Sequence, residues 1–142
     1  MLRSALPVAL MLLAFPGCKK GSDVTVSGTI TIDEQPLANG EIRLLPINNT
    51  PGLGGGGRTD ASGKFTIMDN QGGKSLAAGE YKVVIGKRKR PDGSDPDPKA
   101  PPIESDAKET LPPIWSSETQ TTLTVTVTSE KKPYDFKLTT PK

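Results

Sequence analysis

The chain has 142 residues, which allows one domain together with a signal or tail. Lys and Arg number 18 against 16 Asp and Glu, a formal net charge of +2, so no global field draws the protein to nucleic acid or to an anionic membrane. Histidine is absent and cysteine occurs once, which excludes a Ser-His-Asp triad, a Cys-His pair, a Cys/His zinc site and an internal disulfide. No enzyme activity, catalytic residue, cofactor or metal is therefore expected. Gly (15) and Pro (14) favour turns and open loops over long helices.

Met1 to Gly17 reads as a targeting segment. Arg3 supplies one positive charge, and Ala5 to Phe15 (ALPVALMLLAF) is an eleven-residue apolar run. That is too short to span a bilayer, which takes about 20 residues, but it is the right length for the helical apolar region of a signal. The run ends in Phe15-Pro16-Gly17-Cys18, followed by Lys19-Lys20. A small residue before a lone Cys in this place resembles a bacterial lipobox, although Phe15 and Pro16 stand where Leu and a small residue are usual. The resemblance implies cleavage before Cys18, acylation of its thiol and anchoring to membrane lipid. The competing reading is an ordinary secretory signal that leaves Cys18 as a stray thiol. Lys19, rather than Asp, after the cysteine favours by the same resemblance the outer membrane over the inner. The localisation expected is thus the cell envelope, lipid-anchored, with residues 18–23 as a tether.

From Val24 the pattern turns to period two. Val24 to Ile32 (VTVSGTITI) alternates apolar and small polar residues as a half-buried strand. Asp33 to Pro36 reads as a turn, Leu37 to Gly40 as a second, and Glu41 to Pro46 as a strand that ends at Pro46 or runs along an edge there. Asn48 to Gly57 (NNTPGLGGGG) has the composition of a flexible loop. Asp60 to Gly63 is a tight turn into a strand at Lys64 to Ile67, and Asp69 to Lys74 is a further loop. Gly79 to Gly86, Thr121 to Thr128 and Pro133 to Leu138 complete six strands. Alternation places Leu123, Val125, Val127, Phe136 and Leu138 in one interior with Val26, Ile30, Phe65, Tyr81 and Val83, and turns Thr124 and Thr126 outward. No internal repeat is present.

Lys87 to Pro113 carries Lys87, Arg88, Lys89, Arg90, Lys99 and Lys108 against Asp92, Asp95, Asp97, Glu104, Asp106 and Glu109. Such a Pro-rich, charge-mixed insert (87–113) is expected to be disordered and mobile, pinned only by Ile114-Trp115 at its far end. Asp92, Asp95, Asp97, Glu104 and Asp106 are weighed as calcium ligands and set aside, because Pro96 and Pro98 break the loop. Lys87 to Arg90 is read as a solvated charge run rather than a phosphate, head-group or nucleic-acid site. Gly57 to Lys64 lacks phosphate-loop spacing and leads into a strand. Ser105-Asp106-Ala107-Lys108 fits an acyl-transfer pattern without a scaffold for it. Trp115 is the one residue named as a possible ligand contact, a sugar-stacking platform, against its reading as a plug under the sheet edge.

Three motifs in order carry a family resemblance. Val26-Ser27-Gly28-Thr29-Ile30 with Pro36-Leu37-Ala38-Asn39-Gly40-Glu41-Ile42 resembles the opening of carboxypeptidase-regulatory-like, transthyretin-like (prealbumin-like) domains, with Gln35 where a turn Gly is usual. Thr59-Asp60-Ala61-Ser62-Gly63-Lys64-Phe65 is similar to their second turn, and Gly79-Glu80-Tyr81-Lys82-Val83-Val84-Ile85 to a later strand. The resemblance implies an all-β fold, a small antiparallel β-sandwich of about six or seven strands (transthyretin-like, Ig-like) over residues 24–140, in a small bacterial lipoprotein. It brings no catalytic residues. The function expected is a non-enzymatic, lipid-anchored envelope protein with a binding or structural domain, monomeric, whose partner is an envelope protein or a glycan. The alternative is a carbohydrate- or peptide-binding accessory module of a secreted or surface assembly.

Overall fold

The computed structural model describes residues 23–101 and 105–142. Residues 1–22, with the expected signal, Cys18 and nearly all of the expected tether, lie outside the described part. The described residues form an all-β fold whose sheets are mainly antiparallel. In chain order the strands are β1 (Asp23–Val24), β2 (Ser27–Ile32), β3 (Gln35–Pro36), β4 (Glu41–Ile47), β5 (Gly55–Arg58), β6 (Lys64–Thr66), β7 (Met68–Asp69), β8 (Leu76–Ala77), β9 (Gly79–Gly86), β10 (Arg88–Lys89) and β11 (Lys108–Glu109). A single helical turn, α1 (Pro113–Ser116), precedes β12 (Thr124–Val127) and β13 (Phe136–Leu138).

One sheet has the order β12-β9-β4-β5-β7. A second is built on β2, which pairs with β13 on one side and with β3 and β6 on the other. The β13–β2 ladder is parallel, with Phe136 opposite Ile30 and Leu138 opposite Ile32, so the expectation of a purely antiparallel arrangement is corrected there. The chain crosses over after β12 and enters the second sheet at β13 in the same direction as β2. Period two identifies a strand and its faces but carries no information on direction.

The apolar faces of both sheets meet in one core. Ile30, Phe65 and Leu138 come from the second sheet, and Ile42, Leu44, Tyr81, Val83, Ile85 and Val127 from the first. Leu123, Val125 and Phe136 are only partly buried and pack against its rim, whereas Thr124 and Thr126 are exposed. The Phe65 and Phe136 rings pack at 6.1 Å between centroids, within the range of favourable aromatic pairs.

Two local expectations are corrected. The glycine run expected as a loop forms β5, where Gly55 pairs with Leu44 on one side and with Asp69 on the other. A Cβ on Gly55 would sit 2.2 Å from the Met68 carbonyl oxygen, and one on Gly57 2.4 Å from that of Thr66. The run is therefore a strand that glycine alone can fill, because neighbouring backbone lies where side chains would be. Pro46 is tolerated in β4 because β5 runs only alongside Glu41 to Leu44, which leaves that flank of Pro46 without a ladder partner.

The insert is the second correction. β10 and β11 pair, with Arg88 opposite Glu109, and the Thr110 N–H donates to the Lys87 carbonyl at 2.9 Å. Ala107 is buried. Side chains tie the insert to the 37–40 turn as well: Lys87 Nζ donates to the Ala38 carbonyl at 2.6 Å, and Asn39 Nδ2 to Asp95 at 2.8 Å. The side chains of Lys87, Asp92, Asp97 and Glu109 bond to backbone groups, which composition by itself does not reveal.

Strand directions sort the loops into two poles. Asp23, the 48–54 loop, the 69–78 loop and the 128–133 loop cluster at one, the Asp23 pole. The 33–34 hairpin, the 60–63 turn and the 87–112 insert gather at the other, the insert pole.

Candidate functional site

Cys18 lies outside the described residues, which begin at Asp23, in β1, five positions on. β1 pairs with β8, Asp23 opposite Ala77 and Val24 opposite Leu76, and Val24 and Leu76 belong to the core. The ladder is short, but burial of both apolar side chains holds the first residues of the domain against the body.

Two concavities flank Asp23. The first, about 390 Å³, lies between β8, the 51–54 loop and the 69–71 turn, with Asp23, Leu53, Asn70, Leu76 and Tyr81 in its wall. The second, about 620 Å³, is bounded by Asp23, Val24, Thr25, Lys131, Lys132 and Pro133. In the first, the Tyr81 hydroxyl donates to the Ala77 carbonyl at 2.7 Å. Burial pushes its phenol above the ordinary value, and the Asp23 carboxylate adds to the shift. Asp69 turns its carboxylate back on its own loop, where Oδ1 accepts from the Gln71 and Gly73 N–H groups at 2.7 and 2.8 Å. Asn70 donates to the Leu53 carbonyl at 2.8 Å and so fixes the base of the 51–54 loop. The chemistry on offer is apolar contact and hydrogen bonding. The tyrosine hydroxyl is committed to a carbonyl, and no imidazole exists in the chain to activate a nucleophile.

Trp115, named from sequence as a possible ligand contact, is 5% exposed and part of the core cluster. That assignment is corrected: α1 places the indole among apolar side chains, with no free ring face for a sugar. α1 itself is held by N–H groups of Trp115 and Ser116 donating to the Pro112 carbonyl. The charged residues singled out in the insert are spread along it. Asp92 Oδ1 accepts from both the N–H and hydroxyl of Ser94, which hold its carboxyl below the ordinary value. Asp97 caps the Lys99 N–H, and Asp95 receives Asn39. Arg90 stands 3.9 Å from Asp106 across an exposed gap. Ser105 accepts from the Ala107 N–H, so the Ser105–Lys108 pattern belongs to a turn and a strand. Among the described residues no three acidic, cysteine or histidine side chains gather as a metal site.

Sequence reading missed the polar clamps of the insert pole. Thr59 is buried: its hydroxyl accepts from the Gly40 N–H at 2.8 Å and donates to the Leu37 carbonyl. Glu109 Oε1 accepts from the N–H groups of Lys87, Thr110 and Leu111. Asp33 accepts from the N–H and hydroxyl of Thr140, which hold its carboxyl below the ordinary carboxylate value. The signal available for them was an Asp, Glu or Thr at a strand end, a pattern shared with any solvated turn.

Comparison of the chain with protein-family models, with curated proteins and with solved structures gives no match.

Proposed function

We propose that this chain is a lipid-anchored, non-catalytic protein of the bacterial cell envelope, carrying a transthyretin-like β-sandwich that serves a binding or structural role. The observation that carries the reading is the position of the single cysteine. An eleven-residue apolar run ends three residues before Cys18, and an all-β domain begins five residues after it. Acylation there anchors the protein by its first mature residue, and more than one acyl chain makes the attachment stable. The outer membrane is the favoured address. Support for the sandwich comes from the two sheets burying one apolar core, and for the transthyretin likeness from the three motifs, which fall on β2–β4, on the 60–63 turn with β6, and on β9.

The test is acyl labelling in a bacterial host fed an alkyne fatty acid, followed by detergent partitioning. The native chain takes the label and enters the detergent phase, whereas Cys18→Ser takes none and stays aqueous or uncleaved. Signal-cleaved protein that partitions identically with and without Cys18 overturns the anchor.

A further inference from the structure

The Asp23 pole differs from the rest of the surface in two ways. No charged residue occurs between Arg43 and Arg58, and this stretch supplies the 48–54 loop, in which Leu53 is 69% exposed. Met68, the next most exposed large apolar side chain, sits on β7 beside Gly56 on the same flank. Across Asp23 from Leu53 stand Lys131 and Lys132, with the Lys132 ammonium 5.8 Å from the centre of the Tyr134 ring. The acids of this pole are Asp23, Asp69, Glu80 and Glu130, of which Glu80 accepts from the Asn48 side chain of the 48–54 loop. Asp69 turns inward to its own loop, and Lys19 and Lys20 add two positive charges just after the anchor.

Covalent geometry then limits where this pole can be. Four residues lie between Cys18 and Asp23, five steps along the chain, and fully extended that stretch spans at most about 18 Å. An acylated Cys18 therefore holds Asp23 within about that distance of the lipid surface, and with it the pole whose two concavities Asp23 lines. We propose, on the basis of the anchored reading above, that the Asp23 pole docks on the bilayer that holds the anchor, with Leu53 entering the head-group boundary and Lys131 and Lys132 meeting anionic lipid. A single leucine and two lysines are too weak to recruit a free protein from solution. Attached to the membrane by a short tether, they act at high effective concentration, and a weak contact is enough to set orientation. The insert pole is then directed away from the bilayer.

The acylated chain, in vesicles of phosphatidylethanolamine with phosphatidylglycerol, tests this. Its own cysteine is blocked by the acyl group, so Leu53→Cys and, at the insert pole, Lys99→Cys each give one thiol for an NBD label. A nitroxide-bearing lipid should quench the label at position 53 several-fold more than at 99. Lys131→Glu with Lys132→Glu should reduce the quenching at 53, and only in vesicles containing phosphatidylglycerol. Hydrogen exchange of the unsubstituted chain gives a second reading: vesicles should slow residues 51–54 and leave 92–99 unchanged. Equal quenching and exchange at both poles, in protein that co-floats with vesicles, overturns docking and leaves the anchor standing. Protein that fails to co-float overturns both.

Discussion

At the Asp23 pole the chain makes its close approaches with glycine. Gly54 has φ +73° and would place a Cβ 2.0 Å from the Leu44 carbonyl oxygen, and Gly55 has the Met68 carbonyl 2.2 Å from the same position. At the insert pole, side chains occupy the corresponding role. The Thr59 hydroxyl joins Gly40 to Leu37, Asp60 Oδ1 accepts from Ser62 and Lys64, Glu109 caps three N–H groups, and Asp33 holds Thr140. Glycine approaches are concentrated at the first pole and side-chain caps at the second, although Asp69 Oδ1 also accepts two N–H groups at the first and Gly63 has the Ile30 carbonyl oxygen 2.6 Å from its Cβ position at the second. The glycine approaches should respond to added volume and ignore pH; the side-chain caps should tolerate volume better and respond to the loss of an oxygen or a charge.

The core shared by both poles sets the upper scale. Phe65 is 3% exposed, so Phe65→Ala should cost about 3–5 kcal/mol in a denaturant melt, and the partly buried Phe136 clearly less. Equal losses at the two would mean that β13 is buried as deeply as β6.

Gly55→Val, which forces a side chain into the Met68 backbone, should cost about 3 kcal/mol or more by the same measurement, independent of pH. The exposed Gly52, at φ +92° with no heavy atom within 4 Å of a built Cβ, is the companion: Gly52→Ala should lose only about 1 kcal/mol. Similar costs at both positions would break the argument from backbone approach.

Thr59→Val keeps the volume but removes the hydroxyl between two buried backbone groups, and should cost about 1–3 kcal/mol. A neutral result would mean that water or a shift of the 37–40 turn replaces the bond.

The smallest effect is electrostatic. Because Asp33 is held below its ordinary value of 3.8 in the fold, its contribution is complete above that pH and is lost as pH falls through the lowered value. Asp33→Asn should therefore be less stable than the native chain at neutral pH, with the gap closing on acidification below pH 4. A gap that stays constant would assign the contact to geometry alone. The Asp33–Glu34 turn has φ +49° and +68°, a region that asparagine adopts at least as readily as aspartate, so a loss in Asp33→Asn comes from the contact with Thr140 and not from the turn.

Much of this fold was legible in the residues. The alternation of Gly79 to Gly86 and of Thr124 to Val127 is visible without coordinates, and the faces it assigns to Tyr81, Val83, Thr124 and Thr126 are the ones found. The 60–63 turn was equally plain, because Asp60 and Gly63 have the local chemistry it needs. These features depend on neighbours a few residues apart, which the order of side chains determines by itself.

The remainder depended on partners far along the chain. Gly55 to Arg58 is a strand only because β4 and β7 lie on both sides of it. β13 is parallel to β2 only because of the route the chain takes after β12. Trp115 is core rather than surface because α1 turns it onto β9. The insert is tied down because Glu109 meets Lys87 and Asp95 meets Asn39, pairs 22 and 56 residues apart. Composition records what each residue prefers in isolation. Which backbone groups end up beside it, and whether a charge faces water or an unpaired N–H, is decided only when distant segments pack.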